Sequence, residues 1–180
     1  MNGTWVIEMR ILSTLLIALA LAGCTATHNV DRTTLEGVRL DSTGSAYVST
    51  PENGRYGQTV YHQSGHQTAA AVSRAFSPHL RRTTQGSLAT DRYSALKAAS
   101  AGNYDYLIQP EILHWEDRAT EWSGLLDKIR LRITVLDVAS GQVLDSAELS
   151  AQSKWATLGG DHPEHLLDEP LTEYARSLFP

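Results

Sequence analysis

The sequence predicts an α/β domain with one mixed sheet, in the element order β-α-β-α-β-β-β-α. In the first half, strand-like segments alternate with amphipathic helical ones, which implies crossover connections and parallel strands. In the second half, two strands follow the third without a helix between them, which implies an antiparallel meander. We therefore expect helices packed on a single sheet, with one core.

The first strand is predicted at Ser45–Thr50, where β-branched and aromatic residues precede the turn-forming residues 51–54. A helix is predicted over Gln58–Phe76, and Pro78 closes it. Its apolar stripe recurs at helical spacing and consists of Tyr61, Gly65, Ala69, Val72 and Phe76. Leu80–Gly86 is a weaker second strand.

Thr90 can cap a second helix, which is expected to stop at Gly102-Asn103. A third strand is predicted over Tyr104–Arg118. Pro110 lies within it and cannot donate a hydrogen bond to a neighbouring strand, so we expect it at an edge position or a bulge.

The clearest alternation in the chain runs over Lys128–Val138, and Gln142–Trp155 returns after the turn at Ala139-Ser140-Gly141. Pairing Val138 with Gln142 would place Arg132 opposite Glu148 on the outer face. The inward side chains are predicted to be Ile129, Leu131, Ile133 and Val135 on one strand and Ala147, Leu149, Ala151 and Trp155 on the other.

A last helix is predicted to begin near Pro170 and to bury one apolar face, made by Leu171, Tyr174, Ala175 and Leu178. At the other end, residues 25–43 are polar and have no sustained period. We interpret residues 24–43 as a polar tether and residues 44–180 as a single globular domain.

The N-terminal segment has the features of a bacterial export signal. Ile11–Ala22 is an apolar run of twelve residues, too short for a membrane span of roughly 20 residues. Leu21-Ala22-Gly23-Cys24 resembles the lipobox of bacterial lipoproteins, so residues 1–23 are predicted to be a signal peptide and Cys24 to carry the lipid. Translation from Met1 or from Met9 fits this interpretation.

Composition excludes several functional classes. The chain has one Cys, so it can form no intramolecular disulfide, and acylation of Cys24 would leave no thiol for catalysis. The formal net charge of −5 argues against nucleic-acid binding, which needs a basic surface. Hydrophobic residues make up 42% and charged residues 19%, values typical of a globular domain.

Three polar clusters could suggest chemistry, but each has a simpler interpretation. His62 and His66 have a metal-chelating spacing without a third ligand nearby in sequence, and Asp161–His165 also suits a turn before a helix. Glu116 and Asp117 are adjacent, so on a strand they point to opposite faces and are best interpreted as solvated charges. We expect no metal, no cofactor and no catalytic residue.

Residues 119–127 join two strong strands and carry three large apolar side chains, Trp122, Leu125 and Leu126. Because a solvated loop has little reason to hold them, they either cover a sheet edge or contact a partner. Trp115 lies in the preceding strand with the parity of Leu113 and is predicted to be in the core.

Three segments together resemble a family of small proteobacterial lipoproteins of unknown function: TPENGRYGQTVYHQSGHQTAAAVSRAF, YDYLIQPEILHWEDRATEWSG and DVASGQVLDSAELSAQSKWATLGGDHPEHLL. The resemblance covers roughly residues 40–180, and HWEDRATEW is its most specific part. The element order also resembles the periplasmic domain of the curli secretion lipoprotein CsgG and the N-terminal domain of TolB. The family supplies no catalytic residues.

These observations favour a non-enzymatic protein-interaction module, attached to the membrane through the lipid on Cys24 and contacting an envelope protein. Thr25, rather than Asp, follows the Cys, and by resemblance to lipoprotein sorting rules this implies the periplasmic face of the outer membrane. The alternative is a binding module for a small ligand or a cell-wall glycan near Trp122 and His162. A concave pocket of converging polar groups would favour that alternative.

Overall fold

The computed structural model describes residues 26–33, 37–89, 91–117, 126–153 and 163–180, with the backbone alone at 163 and 164. Several predictions therefore lie outside the described residues: the signal peptide, Cys24, Arg118, Trp122, Leu125, Trp155 and His162.

The described chain forms one mixed sheet with three helices, as the sequence predicts, but the sheet has six strands rather than the predicted five. Its strands are β1 (Thr27–Arg32), β2 (Ser45–Thr50), β5 (Arg82–Leu88), β6 (Tyr106–Glu116), β7 (Lys128–Asp137) and β8 (Val143–Gln152), and a small hairpin contains β3 (Arg55–Tyr56) and β4 (Thr59–Val60). The helices are α1 (Ser64–Phe76), α2 (Arg92–Ala101) and α3 (Asp168–Ser177), with a 3-10 turn at Pro163–Leu167 before α3. The order across the sheet is β1-β8-β7-β6-β2-β5, with β2 parallel to β5 and β6 and the remaining pairs antiparallel.

Strand β1 corrects the predicted tether. Residues 27–32 pair antiparallel with β8 at the edge of the sheet, and Leu40 is buried in the core, so the domain begins well before Gly44. The sequence did not reveal this strand because Val30 is its only apolar residue. Its other inward side chains, His28 and Arg32, are polar and find charged partners on α3 and β8.

Helix α1 begins at Ser64 rather than at Gln58, because Thr59 and Val60 pair with Arg55 and Tyr56 in the small hairpin. Gly57 lies between the two strands with a φ of 57°, a conformation that glycine adopts without strain.

Helix α2 is capped by Asp91, which accepts a hydrogen bond of 2.8 Å from the backbone N–H of Ser94; the proposed cap, Thr90, lies outside the described residues. The helix ends at Ala101 with Gly102 as its C-cap, which agrees with the predicted stop at Gly102-Asn103, and Asn103 follows with a φ of 51°. Pro110 pairs with Ile133 of β7. Strand β2 pairs with β6 only as far as Ile108. Pro110 lies beyond that point, so β2 does not need the backbone N–H that proline lacks.

The β7–β8 hairpin has the predicted register along most of its length, with Arg132 opposite Glu148. Near the turn the register shifts by one residue, so that Leu136 faces Val143. A bulge there explains why the assumed pairing of Val138 with Gln142 does not occur.

The two faces of the sheet are covered unequally. Helices α1 and α3 pack on one face, over a core that includes Ile129, Leu131, Ile133, Val135, Ala147, Leu149, Ala151 and Trp115. These inward positions agree with the prediction. Helix α2 packs on the other face, where Ala95 and Ala99 contact Leu107 and Leu136. It covers only that part of the face.

Candidate functional site

Helix α2 leaves part of the face on which it packs uncovered. That part is a broad polar surface, which we call the open face. It consists of the outward side chains of Thr27, Asn29 and Asp31 on β1, Glu111, His114 and Glu116 on β6, Lys128, Arg130 and Arg132 on β7, and Glu148, Ser150 and Gln152 on β8. Each alternates with a core residue, because successive side chains of a strand point to opposite faces. Within the described ranges, no helix packs on this surface.

A charged row crosses the open face at Arg132. Its guanidinium donates to Glu148 Oε1 at 2.6 Å and to Glu111 Oε2 at 3.2 Å, and the hydrogen bond to Glu148 raises the pKa of Arg132 above its ordinary value. Asp31 lies beside Glu148 on β1. The row therefore contains three carboxylates and one cation, and it fixes the two glutamates in place.

A groove of about 490 Å³ lies toward the end of the open face where β1 begins. Its polar lining includes Lys128, Arg130, His114, Ser150 and Asn29. Hydroxyl, amide and cationic groups lie side by side here, an arrangement that suits hydrogen bonding to a polar partner surface.

Glu116 lies at one end of the open face, and its burial corrects a prediction. It is 3% exposed, and its carboxylate lies 3.0 Å from His114 Nε2. The interpretation of Glu116 as a solvated charge is therefore wrong, whereas Asp117 is exposed as expected. The spacing of two residues between His114 and Glu116 on a strand was the signal that places them on the same face.

The covered face contains a buried charged cluster that joins three elements. The side chain of Asp145 on β8 is fully buried. It accepts hydrogen bonds of 2.9 Å from Arg32 Nη2 and 2.8 Å from the hydroxyl of Tyr174. Burial, reinforced by the neighbouring Asp145 carboxylate, raises the pKa of Tyr174. Because Asp145 accepts from both side chains, the cluster links β1 and α3 to β8, although the Nε of Arg32 is buried without a hydrogen-bond partner among the described residues.

A second concave region lies where the parallel strands β2 and β5 end. The connections that leave them lead to α1 on one face and α2 on the other, and such a divergence leaves a crevice at the carboxyl ends of the strands. The resulting cleft measures about 600 Å³, and Glu52, Arg55, Arg92, Gln109 and Glu111 are among its lining residues. Neither Arg55 nor Arg92 forms an ion pair with another described residue. The cleft can therefore offer two guanidinium groups to a ligand.

The histidines do not assemble into a metal centre within the described ranges, where no group of three or more His, Cys, Asp or Glu side chains is placed to hold an ion. His62 and His66 line a separate cleft of about 440 Å³ next to α1. His66 Nδ1 instead lies 3.0 Å from Gln85 Nε2. His165 is exposed in the turn before α3.

Of the predicted contact segment 119–127, the structure describes residues 126 and 127. Leu126 is half-buried. Asp127 is buried, and its backbone N–H donates to Ser153 Oγ at 2.9 Å. The roles predicted for Trp122, Leu125 and Leu126 stay predictions. Trp115 is 2% exposed and lies in the core, as expected.

No helix among the residues that the structure describes combines the length and apolar character needed to cross a bilayer.

Three solved structures share the fold at low sequence identity. The PelC dodecamer from Paraburkholderia phytofirmans matches with a TM-score of 0.65 and 15% identity, over 86% of this chain and 99% of that chain. Protein XCC0632 from Xanthomonas campestris has a TM-score of 0.51 and 16% identity, over 81% and 91%. Lipoprotein GNA1162 from Neisseria meningitidis has a TM-score of 0.51 and 11% identity, over 74% and 96%.

None of the curated proteins compared with the chain matches it. The resemblance to CsgG and TolB stays a prediction. A domain of unknown function, DUF4823, matches residues 38–178, which include β2 to β8 and all three helices. The chain belongs to the DUF4823 family.

Proposed function

We propose that this protein is a lipid-anchored lipoprotein of the cell envelope that works without catalysis, by contacting another envelope protein through the open face. The observation that carries the proposal is the unequal covering of the sheet. Two helices cover one face, whereas α2 covers only part of the other, and the remaining open face presents ordered charged and polar side chains. The fold shared with lipoprotein GNA1162 supports an envelope role.

The electrostatics of the described residues favour contact over catalysis. Catalytic groups usually combine a cleft with a pKa shifted toward the operating pH. Here the pKa values of Asp41 and Asp137 are lowered because their carboxylates accept hydrogen bonds within turns, from Thr43 and Ser140 respectively. The raised pKa of Tyr174 comes first from burial. Each of these shifts has a structural cause.

A second copy of the chain is the first partner to test, because the structure with the TM-score of 0.65 is described as a dodecamer. Arg130→Glu reverses a charge in the middle of the open face, and Arg176→Glu makes the same change on the exposed side of α3. The mass of the acylated protein in mild detergent is expected to fall toward that of a monomer for Arg130→Glu alone. Equal masses for both variants and the parent would contradict self-association through the open face.

Anchoring is tested separately with Cys24→Ser. The parent protein is expected to incorporate a fatty-acid probe and to be recovered in the outer-membrane fraction, and the variant should do neither. Labelling of the variant, or recovery of the parent in the inner-membrane fraction, would overturn the corresponding part of the proposal.

The cleft with Arg55 and Arg92 supports a second candidate function, the binding of an acidic glycan. Guanidinium groups bind carboxylates with a geometry that lysine cannot reproduce. An oligouronate is a suitable probe, and its affinity should fall at least tenfold in Arg92→Ala but not in Arg176→Ala. Unchanged affinity in both variants would exclude the cleft as its site.

A further inference from the structure

We propose that the end of the sheet where β1 begins lies directly against the phospholipid headgroups. We call this the proximal end and define it by Thr27, Lys128 and Gln152. The inference rests on the proposed acylation of Cys24 and adds to it an orientation of the domain. Its basis is the length of chain between the anchor and the first ordered residue.

That length is very short. Ala26 already packs against the hydrophobic core, and Thr25 is the one residue between it and Cys24. Two consecutive Cα–Cα steps of 3.8 Å span at most about 7.6 Å. A lipid on Cys24 therefore keeps the Cα of Ala26 within that distance of the acylated residue, and so close to the bilayer surface, whereas a tether reaching to residue 43 would have let the domain move away.

The pairing of the strands then determines which other residues lie at the surface. Thr27 is opposite Gln152, Gln152 is opposite Lys128, and Lys128 is opposite Glu116. The β7–β8 turn lies at the other end of these strands, which are ten residues long. At about 3.3 Å per residue, the turn is roughly 30 Å from the proximal end.

Contacts along strand β1 oppose its separation from the sheet, which would lengthen the connection between Cys24 and the domain. Arg32 is bonded to the buried Asp145, and His28 Nε2 lies 2.9 Å from a carboxylate oxygen of Glu173 on α3. The backbone N–H of Thr33 also donates to the carbonyl of Ser146 at 2.8 Å. The strand is therefore fixed at both of its ends and along its pairing with β8.

The proximal end also has suitable chemistry for a headgroup surface. Lys128 is exposed, and so is Arg130, two residues further along β7. Both side chains can approach lipid phosphates. In this orientation the strands run away from the bilayer, and the open face points sideways. It is then accessible to other proteins attached to the same membrane, as the proposed function requires.

Site-specific fluorescence tests this orientation. With Cys24 acylated, an introduced cysteine is the only free thiol, so Lys128→Cys and Ala139→Cys can each carry one environment-sensitive label. The purified lipoprotein is placed in phosphatidylethanolamine–phosphatidylglycerol vesicles that contain brominated lipids. Quenching is expected to be at least threefold stronger at position 128 than at position 139 in the turn. Inserting ten Gly and Ser residues between Thr25 and Ala26 should remove the difference.

Equal quenching at the two positions without the insertion would overturn the orientation while leaving the anchor intact. A different result would reveal failure of the anchor itself. If Cys24 is not acylated, the parent protein takes up the thiol label and does not remain with the vesicles.

Discussion

The sheet carries two arginine–carboxylate pairs of similar geometry on opposite faces. Arg32 and Asp145 are 2.9 Å apart on the covered face, and Arg132 and Glu148 are 2.6 Å apart on the open face. The carboxylate is fully buried in the first pair, whereas the side chain of Glu148 in the second is 37% exposed. The shorter pair is the more solvated one, so distance is a poor guide to the free energy that each pair contributes.

The physical reason is solvation. Water screens the exposed pair and would solvate both partners if they separated, so its net contribution is small. The carboxylate of Asp145 has no access to water in the folded state, and losing a partner leaves the other buried groups unsatisfied. The covered face therefore holds the fold together, and the open face can vary its charges with little effect on stability.

Removal of the buried carboxylate is expected to have the largest effect. Asp145→Ala should lower the free energy of unfolding by about 3 kcal/mol, because Arg32 and the hydroxyl of Tyr174 both lose their partner. Urea denaturation measures the change, with Glu148→Ala as the matched control on the same strand. Similar losses in the two variants would break the distinction between the faces.

Tyr174→Phe removes a single hydroxyl from the buried cluster and leaves Arg32 and Asp145 in place. The expected loss is about 1.5 kcal/mol, typical of a hydrogen bond to a charged acceptor. Because the ring still packs against Phe76, cavity formation is negligible. A stability equal to that of the parent would show that Asp145 does not depend on this donor.

Glu148→Gln should lower the free energy of unfolding by no more than about 1 kcal/mol. Since the pair is exposed, 1 M NaCl should bring parent and variant together by screening the parent's ion pair. Urea denaturation at low and high salt provides the comparison. A salt-independent difference would mean that Glu148 contributes through packing.

The smallest effect is expected at Asp137, whose pKa is lowered by hydrogen bonds from Ser140 in the β7–β8 turn. A lowered folded-state pKa stabilises the protein above the unfolded value, near pH 4, and this contribution is lost as the pH falls through the folded value. Asp137→Asn should therefore be slightly less stable than the parent at pH 7, with the difference shrinking below pH 4. A difference that grows on acidification would have the wrong sign.

The sequence predicts features of this fold whose signal is local. The β7–β8 hairpin follows from uninterrupted alternation and a Gly-containing turn, and the burial of Tyr174 follows from helical spacing. Strand β1 could not be predicted in this way, because the partner of Arg32 lies 113 residues away. Pairing of β1 with the sheet depends on the buried carboxylate of Asp145 on β8, which no pattern within residues 27–32 reveals.

The candidate site likewise combines features that a local sequence pattern predicts with features that depend on tertiary packing. The parity of β7 and β8 indicates which residues, such as Arg130 and Ser150, face away from the core. That this face lacks a covering helix depends on where α2 packs, and the cleft at Arg92 depends on the order of the parallel strands. Neither follows from a local pattern in the sequence.

Photo-crosslinking in intact cells can determine whether the open face is the surface that contacts a partner. A photoreactive amino acid replaces Ser150 on the open face, and the matched control replaces Arg176, which is exposed on α3. A discrete crosslinked species, to a second copy or another envelope protein, is expected from position 150, and none is expected from position 176. Crosslinking from position 176 alone would contradict it.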